Sequence, residues 1–188
     1  MPARSALSRA LRLLTLAAVL GSGTAHADDY AEVRQLTRSG NTAQAIAHAD
    51  NYLAGNARDP QMRFLKGVAQ TDAGQTDDAI ATFTALIEEY PELAEPYNNL
   101  AVIYARQGDL DKAKTALEQA VRNNPTYAAA HENLGDIQAR QAYQSYMRAQ
   151  SLDPRTAASV RPKLTQLRSL LQPANQGAAP QVPPSPAP

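Results

Sequence analysis

The residues best suited to chemistry are two histidines and two pairs of adjacent carboxylates. Beyond the first 27 residues the histidines are His48 and His131, and neither sits in an HExxH arrangement. A lone histidine serves a metal or a proton transfer only with convergent partners, and none lies near either one in sequence. The paired carboxylates are Asp77-Asp78 and Glu88-Glu89. Such pairs do acid–base work or hold a cation when they converge in a cleft. Neighbours on a helix point about 100° apart, so these diverge. Asp77 and Asp78 read better as anions at a helix start, where the dipole favours them. Cysteine is absent, which removes disulfides, thiolate chemistry and cysteine-based metal sites. There is no glycine-rich phosphate loop and no serine on a strand-to-helix elbow. The expectation is a chain with no catalytic residue, no metal ligand and no cofactor, hence not an enzyme.

The elements that carry these residues follow a fixed period. Gly40, Gly74 and Gly108 are spaced by 34, and so are Ala45, Ala79 and Ala113. Gly67, Ala101 and Gly135 keep the interval, as do Pro91 with Pro125, Leu100 with Leu134 and Asn99 with Asn133. Within a period, apolar and small residues recur three and four apart, which predicts two helices each buried on one face. Tyr97, Leu100, Ala101 and Tyr104 form one stripe, and Ala113, Leu117 and Ala120 the next. Gly108 breaks the chain between them and suits a left-handed turn. Asp109, Thr76 and Thr42 are placed to cap the second helices. Pro91 and Pro125 end those helices, because proline cannot continue the hydrogen-bond ladder. Small residues at Gly67, Ala79, Ala101 and Ala113 mark helix crossings, and larger ones such as Phe83, Tyr104 and Leu117 fill the space beside them.

The period of 34 and the pattern Tyr97-x2-Leu100-Ala101-x2-Tyr104, followed by Ala113 and Pro125, resemble the tetratricopeptide repeat. Tyr97 stands where that family has Trp. The unit from Ala94 to Pro125 matches best, and Pro60 to Pro91 is close. The unit over residues 28–59 is weaker, with Val33 at the small position. The resemblance implies an all-α fold, a right-handed α-solenoid of about four helix pairs over residues 28–154, the fourth shortened. His131 takes the place of the family's large residue, which implies packing.

The fourth unit departs from the period. Pro125 to Pro154 is 29 residues, five short, and no glycine lies between Gln138 and Ala142. Either the turn is very tight or the two helices merge into a rod. Residues 155–171 then carry Val160, Leu164, Leu167 and Leu171 at helical spacing, which predicts a terminal capping helix with Pro162 in its first turn. Residues 172–188 are rich in Pro and Ala and cannot form a packed core, which predicts a disordered tail.

Residues 1–27 read as a signal peptide. Arg4, Arg9 and Arg12 precede an apolar run from Leu13 to Leu20, and Ala25-His26-Ala27 offers a small-x-small cleavage pattern. Cleavage after Ala27 is expected, with no cysteine for lipidation and no twin arginine. The location expected is periplasmic or secreted, with no membrane-integral segment after cleavage. The 18 basic and 18 acidic residues balance, and no strongly basic surface points to nucleic acid. Residues 28–111 carry 14 acids and 6 bases, whereas residues 139–172 carry 6 bases and 1 acid.

What remains is binding. The resemblance implies a concave groove lined by the first helix of each pair, holding a protein or peptide segment. Its lining here comprises Arg34, Phe64, Val68, Asn98, Asn99, Val102, Glu132, Asn133 and Asp136. Amide side chains suit a peptide backbone, since one group both donates and accepts. A clamp for a C-terminal carboxylate is not expected, because Phe64, Leu65, Glu95, Asn98 and Ala129 stand near such places and Arg34 is the one clear base. The function implied is a non-catalytic scaffold or adaptor with a partner in the cell envelope. The alternatives are a self-associating structural subunit of an envelope machine and an accessory lobe of an enzyme. Partner identity and oligomeric state stay open.

Overall fold

The computed structural model of the chain describes residues 22–172. The expected signal peptide lies almost wholly outside these residues, as does the expected tail from Pro173 onward. The chain divides into two compact units, one up to Tyr127 and one from Ala128.

The first unit consists of three helix pairs. They are α1 (Ser22–Arg38) with α2 (Thr42–Gly55), α3 (Pro60–Asp72) with α4 (Thr76–Glu89), and α5 (Ala94–Arg106) with α6 (Leu110–Asn123). Within each pair the turn is made the same way. Gly40, Gly74 and Gly108 have φ of 78°, 74° and 83°. Their amides bond to Thr37, Thr71 and Ala105 carbonyls, and the amides of Asn41, Gln75 and Asp109 bond to Leu36, Gln70 and Tyr104 carbonyls. That is a Schellman closure repeated three times. A β-carbon on these glycines would meet nothing within 4 Å, so the left-handed backbone, not space, calls for glycine there.

Between pairs the chain repeats a second turn. The amides of Asn56, Tyr90 and Asn124 bond four residues back, to Tyr52, Leu86 and Ala120 carbonyls. Those of Asp59, Leu93 and Tyr127 bond three residues back, to Asn56, Tyr90 and Asn124 carbonyls. Pro91 and Pro125 stand just past the second helices they were expected to end. Side chains tie successive turns together: the Tyr90 hydroxyl donates to the Arg58 carbonyl at 2.7 Å, and Asn123 Nδ2 to the Pro91 carbonyl at 2.7 Å.

Of the three expected caps, Asp109 acts as one, accepting from the Lys112 amide at 3.1 Å. Thr42 and Thr76 do not. They are the first residues inside α2 and α4, and the cap positions fall to Asn41 and Gln75, neither of which makes a side-chain cap bond. The cap position is the first residue after each turn glycine, where Asp109 stands in the third pair, so α2 and α4 start one residue earlier than expected.

The core is built from the residues the period singles out. Ala45, Ala79, Ala101 and Ala113 are fully buried, with Phe83 and Leu117 beside them. Val33, at the small position of the first pair, is fully buried in a cluster with Ala45, Ala49, Met62, Leu65 and Ala69. Close approach is tightest at Gly67, where a β-carbon would lie 2.6 Å from Cε1 of Phe83.

The second unit is a helical hairpin. The two helices expected in the fourth pair are one continuous helix, α7 (Ala128–Leu152), of 25 residues. Gln138, Ala139, Arg140 and Gln141 are all good helix formers, and without a glycine nothing stops the ladder. A 3₁₀ turn (Pro154–Thr156), capped by Asp153, leads into α8 (Ala157–Leu171). Helix α8 folds back on α7, burying Val160 and Leu164. It starts earlier than its proline suggested. Pro162 lies inside it, past the first turn, where the missing amide leaves the Ala158 carbonyl without a helix partner.

Candidate functional site

The first helices of the pairs form one layer of the first unit. Helix α1 packs against α3 and α3 against α5, while α2, α4 and α6 make no comparable contact with one another. The first helices of the three pairs therefore lie side by side, and the faces they leave uncovered share one layer.

The predicted lining residues separate by burial. Arg34, Phe64, Asn99 and Val102 are half-buried, so each keeps part of its side chain at the surface. Val68 and Asn98 are buried, 8% and 7% exposed, and offer a partner almost nothing. Phe64 is committed on one side, its ring centroid 5.8 Å from that of Phe83. The Asn99 amide donates to the Glu95 carbonyl of its own helix at 2.9 Å, which leaves its carbonyl oxygen to accept. Glu132 and Asp136 are exposed and Asn133 is half-buried, all three on α7 in the second unit.

A charged rim escaped the sequence reading. Arg38, Asp72 and Arg106 stand 34 residues apart at the ends of α1, α3 and α5, all exposed. Although the Asp72 side chain reaches the surface, the protein packed around its carboxyl partly desolvates it and pushes it above its ordinary range, and the nearby Arg106 charge opposes this. Their common spacing was the available signal, hidden because the charge changes sign from one period to the next.

The polar groups elsewhere serve structure. Asp59 Oδ1 accepts from the Gln61 and Met62 amides at 2.9 and 3.1 Å, capping α3. Its Oδ2 accepts from the Tyr52 hydroxyl at 2.9 Å and from the Tyr30 hydroxyl. Burial opposes the charge on Asp59, but these four donors outweigh it and hold the carboxyl below the usual range. Burial and the same carboxylate push the Tyr30 hydroxyl far up. The three side chains line a shallow depression with Asn56, Ala57 and Arg58. A saturated carboxylate and two neutral phenols make a latch, with neither a base nor a nucleophile in it.

His48 Nε2 lies 2.9 Å from Asp29 Oδ1, and its Nδ1 3.6 Å from Glu32 Oε1, which pins α2 to α1. His131 is exposed on α7 and does not fill a core position as the resemblance implied, because the helix expected to cover it continues the rod instead. Asp77 and Asp78 are both exposed in the first turn of α4. Glu89 pairs with Arg63 at 2.6 Å. Among the described residues no group of His, Asp and Glu is gathered to hold a metal ion, and no helix is long and apolar enough to cross a membrane.

Two family models described as tetratricopeptide repeat match residues 30–94 and 70–137. The chain belongs to the tetratricopeptide-repeat family. Together the matched residues span more than half of it. Among curated proteins, it is 38% identical over 53 residues to the TPR repeat-containing protein YvcD of Bacillus subtilis. That stretch is 28% of this chain and 11% of the relative. It is 47% identical over 45 residues to the chloroplastic tetratricopeptide repeat domain-containing protein PYG7 of Arabidopsis thaliana, 24% of this chain and 15% of that protein. The aligned stretches are thus small parts of both relatives. Among solved structures, a thermophilic TPR protein of Thermus thermophilus superposes with a TM-score of 0.57 at 23% identity, over 77% of this chain and 82% of that one. These matches agree with an all-α tetratricopeptide solenoid. Proteins of this family are in general non-catalytic interaction scaffolds.

Proposed function

We propose that this tetratricopeptide-repeat protein is a scaffold of the bacterial cell envelope that holds a segment of another protein on its inner face. The observation that carries the reading is the side-by-side packing of α1, α3 and α5, which leaves Arg34, Phe64, Asn99 and Val102 partly uncovered in one layer. Apolar and amide groups with a basic residue and a mixed-charge rim suit a polypeptide with apolar anchors. Ionic contacts at the rim would set the on-rate and weaken with salt, while the apolar contacts would govern the off-rate. A photo-crosslinking residue in place of Val102 should trap the partner in living cells, and the same label at Glu118 on α6 should not. Equal trapping at both positions would put the binding surface elsewhere.

The envelope location rests on the amino-terminal pattern of Arg4, Arg9 and Arg12, the apolar run and Ala25-His26-Ala27. Protein isolated from its own cells should begin at Asp28 by intact mass. Recovery of the uncleaved chain in the cytoplasm would refute export.

A further inference from the structure

The hairpin of α7 and α8 carries an excess of positive charge that the chain does not neutralise. Residues 137–172 hold six bases, Arg140, Arg148, Arg155, Arg161, Lys163 and Arg168, and one acid, Asp153. All six bases are exposed. Asp153 is already engaged: it accepts from the Arg155 amide at 2.9 Å and pairs with the Arg155 side chain at 3.3 Å. Among the described residues, none of the other five bases lies within ion-pair distance of a carboxylate. The first unit differs. There Arg63 pairs with Glu89, Lys66 with Asp50, Lys112 with Asp109 and Lys114 with Glu118.

Arg168 donates to the Tyr143 hydroxyl at 3.0 Å, which sets one edge of α8 beside one edge of α7. Arg161 lies seven residues before Arg168, on the same side of α8 and about 10 Å along it. Arg140 and Met147 lie three residues before and four after Tyr143, on the same side of α7. The two stripes together gather three arginines around a tyrosine and a methionine that is 45% exposed. Asp136, the next acid along that side of α7, stands one turn beyond Arg140. The other edge repeats the mixture. Lys163 is two residues past Arg161, about 200° round α8, and lies over the Tyr146 ring at 5.0 Å. Leu170 follows it on the same side and is 67% exposed. Met147, Leu152 and Leu170 are the exposed large apolar side chains of the described residues, and all three fall in this hairpin.

We propose that this hairpin rests on an anionic phospholipid surface, with Arg140, Arg161 and Arg168 toward the lipid phosphates and Tyr143 and Met147 at the interface. A guanidinium matches a phosphate with two parallel hydrogen bonds. Several bases beside exposed apolar groups are the combination that holds a helix at a charged bilayer. The bases do not converge on one point, as a lone carboxylate would require; they spread along two helices, as suits a charged plane. Residues 28–111, with 14 acids and 6 bases, are repelled by the same surface, which orients the chain hairpin-first. The contact is peripheral, since no helix among the described residues is long and apolar enough to cross a membrane. It does not depend on the partner segment proposed for the first helices.

Vesicle co-sedimentation tests this on the chain from Asp28, the form its own cells are expected to yield, so that residues 1–27 contribute none of the affinity. Vesicles of equal parts phosphatidylglycerol and phosphatidylcholine should capture it at low salt, and pure phosphatidylcholine should not. Salt at about 0.5 M should release it. Arg140→Gln with Arg161→Gln keeps the bond from Arg168 to Tyr143 and should weaken capture at least about tenfold, since each base near a charged bilayer contributes about fivefold. Arg58→Gln with Lys112→Gln makes the same charge change in the first unit and should leave capture nearly unchanged. The chain has no tryptophan, so Met147→Trp gives a single reporter. Its emission should shift to the blue on the mixed vesicles, and that of Glu118→Trp on α6 should not. Equal capture by both vesicle types, no capture at low salt, or capture that survives Arg140→Gln with Arg161→Gln overturns the proposal. Binding to polyglutamate in place of vesicles would assign the arginines to an acidic polypeptide and overturn it as well.

Discussion

Gly67 and Phe83 sit so close that the glycine hydrogen occupies the space a β-carbon would need, 2.6 Å from the ring edge. Phe83 is fully buried and cannot swing away. Gly67→Ala should therefore destabilise the chain by about 1–3 kcal/mol through overpacking. Gly135→Ala, where the space is open, should be neutral or stabilising by up to about 1 kcal/mol from helix propensity. Urea titration of the two variants separates the cases, and equal effects would mean that helix propensity alone governs both positions.

The turn glycines make the opposite prediction about cause. Gly108 has open space around it but a φ of 83°. Gly108→Ala should cost about 1–2 kcal/mol from the left-handed backbone alone. Gly108→Asn should recover part of that, since asparagine tolerates this region. A Gly108→Ala variant that melts with the wild type would show that the turn relaxes to another conformation.

The third pair should respond to volume in both directions. Ala113 is fully buried at its crossing and Leu100 is 3% exposed. Ala113→Leu should cost about 1–3 kcal/mol by forcing the helices apart. Leu100→Ala should cost about 2–5 kcal/mol by leaving a cavity. Chemical denaturation of each variant measures both, and unchanged midpoints would place these side chains outside the core.

The Asp59 latch predicts an acid dependence. Its carboxyl is held below the ordinary range in the folded chain, so the unfolded chain binds the proton more readily. The stabilisation is full above the unfolded pKa and is lost as pH falls through the folded one. Asp59→Asn should flatten the fall of melting temperature in acid, and Tyr30→Phe should shift it partway. The wild type and Asp59→Asn losing stability in parallel from neutral pH to pH about 3 would refute the assignment.

Much of this molecule is legible in residue types because the controlling physics is local. A positive φ favours glycine wherever it occurs, and a proline lacks its amide in any surroundings, so Gly40, Gly74, Gly108, Pro91 and Pro125 mark the turns before any packing is known. The 34-residue period then follows, and with it the helix pairs and the buried alanines. The binding face is less legible. Asn98 and Asn99 are adjacent in sequence and share the predicted groove, yet Asn98 is buried and Asn99 half-exposed. One residue turns a helix by about 100°, and which side becomes interior depends on the neighbouring helix. Sequence alone likewise leaves the shortened fourth pair open between a tight turn and a rod. The tertiary structure decided for the rod, because residues 138–141 favour helix and folding back would have required a hinge that five missing residues no longer supply.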